Sequence, residues 1–313
     1  MAILGYRELG LLSFAVPVEG QAEEFVVGGG NNIILIEWDS SKNRKHPPHI
    51  VLDSAIDLPL GNRWGYAGVD HSKKLWIVTT NDNPEIYGEN LGMVYRLNKD
   101  RKLKKKLVGL NSITGGFAWD HPSPGDIKRG VSYRFYYADP PRKQVALYDF
   151  IASNGEKIEN RQPLLWLPRH NLNCDPGRIA MDTRGYLWVP LIGGRGVIEY
   201  NPMIDRTFRF IDIPAAKVGA CVFGGDAMEI LFVSTIGYEY KEPHQHRPHA
   251  DEGGHIYAIR NLGVNGEQLR KYFVNEAKLP QEIIQARARR ALPPSPGRRS
   301  LIRLLRGAGG SRA

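Results

Sequence analysis

Two cysteines, Cys174 and Cys221, are all that 313 residues contain. They form no CxxC pair and no disulfide framework, which suits a reducing compartment. Long apolar runs are missing as well. The longest near the N-terminus, Leu11 to Val18 (LLSFAVPV), is too short to span a bilayer, follows Arg7 and Glu8, and has no small-residue cleavage site behind it. Neither export nor a membrane span is expected, and the cytoplasm is the expected location. Helical periodicity is scarce: Gly266 to Arg289 could carry helices, and Pro280 would break that segment. There is no GxSxG, and neither cysteine has a nearby histidine in sequence, so nucleophilic catalysis has no visible motif.

What the chain does have is enough apolar sequence for a full core, 42% hydrophobic against 24% charged. Its formal charge of +9 is unevenly placed. Gln281 to Ala313 holds eight arginines against one acid, Glu282, which puts +7 in the tail and leaves about +2 for the body. With Pro293, Pro294, Pro296 and a Gly-Ala-Gly-Gly run, residues 281–313 are expected to be a disordered basic tail on a folded domain of residues 1–280. No aromatics interleave with these arginines, so nucleic acid is expected to see at most nonspecific contacts.

The body repeats a pattern. A turn with Asp or Gly, a short alternating strand and a second strand ending in a polar turn recur in VDHSKKLWIVTT (Val69 to Thr80), in Tyr133 to Phe150, in Met181 to Pro202, and in Ala227 to Ile236 with Gly254 to Asn261. From Trp76 to Tyr136, Trp188 and Phe232 the steps are 60, 52 and 44 residues, the first containing a loop insertion, His121 to Gly130. Units of four strands at this period predict an all-β fold, a β-propeller. Before them, GLLSFAVPVEG, EEFVVGGG and NNIILIEWD read as three consecutive strands. The Gly-Gly-Gly there is followed by another strand and no helix, so it does not read as a phosphate loop.

The order of motifs resembles the regucalcin, gluconolactonase and luciferin-regenerating enzyme family, and insect regucalcins in particular. NRWGYAGVDHSKKLWIVTT resembles the family's NRFNDGKxDxxGRLWxGT block, ITGGFAWD its SNGLAW block, and CDPGRIAMDTRGYLWVPLIGGRGVIEYNP its PDGMxxDxxGxLWVAxYGGGRV block. CVFGGDAMEILFVST and GGHIYAIRNLGVNG are similar to its last two blocks. The resemblance runs from about Leu11 to Asn275. It implies a six-bladed propeller with one divalent metal in the central channel and, where active, hydrolysis of sugar lactones. In that register the chain opens inside the family's first blade, so an incomplete first blade is expected, unless Met1 to Gly10 or the segment after Gly266 supplies the closing strand.

The resemblance also implies a ligand set of one glutamate, one asparagine and one aspartate, since a hard divalent cation needs converging oxygens. Gly115 stands where the asparagine belongs and Gly177 where the aspartate belongs. Of the substrate positions Arg63 is retained, while Gly65 and Tyr66 replace an asparagine and an aspartate. The expectation is a propeller that has lost its metal site, with no cofactor and no catalytic residue, binding an unidentified small molecule or protein. The alternative is a calcium- or zinc-dependent lactone hydrolase with shifted ligands, Asp175 or His244 and His246 of the cluster EPHQHRPHADEGGH. Glu19 reads as an exposed turn acid, and Lys104 to Lys106 as a solvated charge run in a strand-edge turn. The tryptophans at 64, 76, 119, 166 and 188 read as packing between blades, with Trp64 and Tyr66 also placed to fill the channel mouth.

Overall fold

A computed structural model describes residues 12–39, 49–153, 156–238, 247–275 and 279–291. The chain divides into two compact units, Met1–Phe273 and Val274–Ala313.

The first unit is an all-β propeller, and among the described residues it has five sheets. The first consists of β1 (Leu12–Pro17), β2 (Glu24–Gly29), β3 (Asn32–Glu37) and β4 (His49–Ala55). The second consists of β5 (Asn62–Val69), β6 (Leu75–Asn81), β7 (Gly92–Leu97) and β8 (Leu103–Leu110). The third consists of β9 (Phe117–Asp120), β10 (Tyr133–Asp139), β11 (Gln144–Ile151) and β12 (Lys157–Trp166). In the fourth, the short strands β13 (Asp175–Pro176) and β14 (Ala180–Met181) both pair with β15 (Leu187–Ile192), followed by β16 (Gly196–Asn201) and β17 (Arg206–Asp212). The fifth has three described strands, β18 (Val218–Gly224), β19 (Ile230–Thr235) and β20 (Ile256–Ile259). All sheet pairings are antiparallel, and all but that of β13 with β15 join neighbours in sequence, the up-and-down order of a propeller blade. The expected insertion between β9 and β10 holds a short helix, Pro124–Lys128, closed by a capping box between Ser123 and Asp126.

The repeat noticed in sequence is a folded device. In VDHSKKLW the Asp70 carboxylate accepts from the backbone N–H of Ser72 (2.8 Å) and Lys74 (2.9 Å) and from Trp76 Nε1 (2.7 Å). In MDTRGYLW, Asp182 accepts from Arg184 (2.9 Å), Tyr186 (3.1 Å) and Trp188 Nε1 (3.1 Å) in the same places. Both turns need one residue with positive φ, supplied by Gly185 at 79° and by Lys73 at 60°. The acid thus pins a turn and an indole together, and both indoles are fully buried.

Trp64, Trp76, Trp119 and Trp188 pack inside, as expected. Trp166, expected there too, is 52% exposed at the outer end of the third sheet. Lys104 to Lys106 lie in the edge strand β8 and not in a turn; cations there still oppose pairing with another sheet.

A strap, Asn265 to Phe273, crosses between sheets. The Gly266 N–H donates to the Met228 carbonyl, the Glu267 N–H to the Met181 carbonyl, and the Phe273 N–H to the Lys73 carbonyl. Tyr272 makes an isolated parallel bridge to Val18 beside β1, and its hydroxyl donates to the Asn98 carbonyl (2.5 Å). The segment after Gly266 therefore does pair with the first sheet, through one bridge and not a full strand. Met1 to Gly10 lie outside the described residues.

In the second unit, Gln281–Ala291 is a helix entered from Pro280, whose carbonyl accepts from the N–H groups of Ile283 and Ile284. Composition had pointed to disorder from Gln281 onward, and these eleven residues are helical instead; residues 292–313 lie outside the described residues. No helix among the described residues is long and apolar enough to cross a membrane.

Candidate functional site

The inner strands β1, β5, β9, β14 and β18 line a cavity of about 260 Å³, together with Glu267 to Arg270 of the strap. Small residues, Ala15, Gly68, Ala118 and Ala180 among them, leave this space open between aromatic side chains. Among the lining residues the one carboxylate is Glu267, which pairs with Arg270 at 3.2 Å.

Along the inner strands, the positions singled out from sequence lie just before this cavity. Gly65, Gly115 and Gly177 are all buried. Gly65 is the extra residue of a β-bulge, because Trp64 pairs with Thr79 and Tyr66 with Val78. A Cβ on Gly115 would come within 2.6 Å of Ala138 Cβ and 2.8 Å of the Ala138 carbonyl oxygen. A Cβ on Gly177 would collide with the Gly219 carbonyl. Glycine at these places permits close packing between strands, so a larger residue would require the backbone to move.

Arg63 donates four hydrogen bonds. Its Nε and Nη2 donate to the two oxygens of Asp82 at 2.7 Å and 3.0 Å, and its Nη1 to Ser13 Oγ (3.1 Å) and the Trp64 carbonyl (3.0 Å). This is a bidentate ion pair with added backbone support, which fixes the guanidinium and neutralises it.

The residue that sequence reasoning passed over is Arg178. From the turn before β14 its side chain reaches to the first and second sheets, Nη2 donating to the Gly65 carbonyl (2.8 Å) and Nη1 to the Ser13 carbonyl (3.4 Å). The guanidinium lies 5.7 Å from the centre of the Tyr66 ring. Its own backbone N–H donates to the Gly219 carbonyl (2.9 Å). Ser13, Gly65 and Gly219 each sit at a register shift in β1, β5 and β18, and so each carbonyl is turned out of its ladder toward Arg178. Among the described residues Arg178 has no ion pair. Burial pushes its pKa down and the Arg63 charge does the same, while Tyr66 opposes both. Tyr66 in turn packs edge-on to Phe117 at 5.0 Å, and burial pushes its phenol up. Of the two aromatics placed at the channel mouth, Tyr66 lines the cavity, whereas Trp64 is fully buried against Tyr95.

The substitute ligands are elsewhere. Asp175, in β13, has its carboxyl raised by burial, with Lys143 opposing, and is not among the lining residues. Glu19 pairs with Lys73 at 2.5 Å. His244 and His246 lie outside the described residues. In the rest of that segment Asp251 is buried and accepts from the backbone N–H of Ala216 (2.5 Å) and Gly253 (3.2 Å) and from Arg247 Nε (3.2 Å), so it is committed to holding the loop. Among the described residues no group of three or more His, Cys, Asp or Glu side chains is arranged to hold a metal ion. Burial pushes the Cys221 thiol up to about 12 and that of Cys174 up to about 11, where neither ionises at neutral pH.

Comparison with known proteins agrees with this architecture. A Bacillus subtilis protein named as a suspected sugar lactone lactonase, YvrE, is 28% identical over 195 residues, which cover 62% of this chain and 61% of that protein's length. Pig (Sus scrofa) regucalcin is 25% identical over 250 residues, 79% of this chain and 76% of that one. The solved structure of a luciferin-regenerating enzyme superposes with a TM-score of 0.71 at 26% identity, covering 84% of this chain and 82% of the other. Residues 7–237 match the family described as the SMP-30/Gluconolactonase/LRE-like region, and the chain belongs to that family.

Proposed function

We propose that this propeller has lost the divalent-metal site implied by its family resemblance and acts as a non-catalytic binding protein. The observation that carries the reading is Arg178, a cation held between the sheets beside Gly65 and Gly177 and given no carboxylate partner among the described residues. A divalent ion needs several converging anionic or carbonyl oxygens. The donor set does not fit one: glycine stands at 65, 115 and 177, the carbonyls of Ser13 and Gly65 already accept from Arg178, and a second positive charge beside that guanidinium would be repelled. Lactone hydrolysis that depends on a metal has no support from the remaining groups, since Arg63 is tied to Asp82 and both thiols stay protonated.

The test is calcium and zinc titration of the purified chain by calorimetry, with lactone hydrolysis measured in the same samples. The expected outcome is no stoichiometric binding, no change in melting temperature with chelator, and no metal-dependent turnover. One-to-one binding accompanied by lactone hydrolysis that is lost in Arg63→Ala would overturn the proposal in favour of shifted ligands.

A further inference from the structure

A second cavity, of about 480 Å³, lies at one end of the second sheet and shares no lining residue with the channel cavity. Turns and strap meet there. The turn at Asp70 to Lys74 joins β5 to β6, and the turn at Asn98 to Lys102 joins β7 to β8, so both stand at the same end of the sheet. The strap crosses them, with the Phe273 N–H donating to the Lys73 carbonyl and the Tyr272 hydroxyl to the Asn98 carbonyl. Glu19 enters from the turn between β1 and β2, its N–H donating to the Tyr272 carbonyl.

The wall of this cavity carries four cations, Lys73, Lys74, Arg96 and Lys99, against one carboxylate, Glu19, which pairs with Lys73 at 2.5 Å. Behind the wall the balance is similar. The buried Glu156 serves three cations, Lys74 on one oxygen, Arg96 on the other, and Lys106 at 3.9 Å. Asp70 also lies near Lys74 and Arg96, but its oxygens accept from the Ser72 and Lys74 N–H groups and from Trp76. Lys99 is exposed and has no ion pair among the described residues. Positive charge is in excess, and its members repel one another. Burial and then the Arg96 charge hold the Lys74 ammonium below its ordinary value, and burial with Arg96, Lys104 and Lys74 brings Lys106 down to about 8. An anion entering the cavity offsets that repulsion.

The surroundings narrow the anion. Cations brought together from separate turns and a strand match a dianion better than a monoanion, and a phosphate monoester carries nearly two charges on three acceptor oxygens. Neutral donors stand beside them: the Ser72 hydroxyl, and Asn98, whose Oδ1 accepts from the N–H groups of Asp100 (3.1 Å) and Lys102 (2.8 Å), leaving its Nδ2 as a donor. Phe273, 43% exposed, gives the same cavity one aromatic wall. We infer that this cavity takes a small organic phosphate, its phosphate among Lys74, Arg96 and Lys99 and its organic part against Phe273.

The experiment is calorimetric titration of the full chain at neutral pH and low salt, without added metal, using AMP, ribose 5-phosphate, inorganic phosphate and adenosine as probes. AMP is expected to bind one-to-one and about tenfold or more tighter than adenosine, which has the ring without the charge. Lys99→Glu should weaken AMP by about tenfold, because it replaces an attraction by a repulsion. Phe273→Ala should weaken AMP while leaving inorganic phosphate nearly unchanged. Lys99 and Phe273 are both exposed, so neither variant cuts into the core. Ribose 5-phosphate as tight as AMP would assign the organic part to a sugar, and weaker ribose 5-phosphate to a nucleotide; either supports the inference. Adenosine or inorganic phosphate as tight as AMP, no binding of either organic phosphate, or no effect of either variant would overturn it. Calcium titration concerns the channel alone, so this inference and the loss of the metal site fail separately.

Discussion

Glycine at 65, 115 and 177 has two consequences at the residue scale. It offers the channel no side-chain oxygen, and it lets the strands pack closely, Gly115 against Ala138 and Gly177 against the Gly219 carbonyl. A side chain with a ligand oxygen therefore cannot simply be introduced there. Gly115→Asn with Gly177→Asp is expected to lower stability by about 2–5 kcal/mol through overpacking and to gain no calcium affinity. Chemical denaturation and calcium calorimetry on the double variant check both halves. The glycines themselves were legible in sequence because a motif fixes their register. Arg178 was not, because its acceptors at Gly65 and Ser13 lie 113 and 165 positions away along the chain. No local pattern reports that a bulge in another sheet has turned a carbonyl toward it.

At the scale of elements, the repeated unit is an acid, a tight turn and a tryptophan on the strand that follows. Its spacing is local, six residues from Asp70 to Trp76 and from Asp182 to Trp188, and so it was visible before any fold was known. Asp182 is fully buried and also pairs with Arg184 at 2.6 Å. Asp182→Ala strands two backbone N–H groups and an indole N–H inside the sheet, and is expected to cost about 3 kcal/mol or more. Urea denaturation followed by tryptophan fluorescence measures it, and Asp182→Asn, which keeps an acceptor oxygen, should recover part of the loss. Strand existence was equally legible from alternation and Gly-rich turns. The helix at Gln281–Ala291 falls where periodicity allowed one, directly after Pro280, whereas the arginine-rich composition of the same residues had pointed to disorder.

At the scale of the whole propeller, the strap decides how the ring is held. Asn265 to Phe273 bonds to the turns of the second, fourth and fifth sheets and bridges to Val18 of the first. Tyr272 is its anchor, 1% exposed, with a hydroxyl bond to Asn98. Tyr272→Ala is expected to cost about 3–5 kcal/mol, as for other buried aromatics cut to alanine. Unfolding monitored by circular dichroism and by tryptophan fluorescence should still coincide, because the strap links sheets that melt together; separate transitions would show that the first sheet opens by itself.

The sequence by itself determined the strands, their turn chemistry and the family, since each is written in spacings of a few residues and in blocks that occur in order. It also placed glycines at 65, 115 and 177. Only the tertiary structure decided what surrounds them: a guanidinium crossing from the fourth sheet to the first and second, and a strap that lines the nearby cavity. The reason is physical. Arg178 and the strap are held by backbone groups of distant strands, and every residue offers the same carbonyl and N–H, so nothing in side-chain identity announces those contacts until the chain has folded.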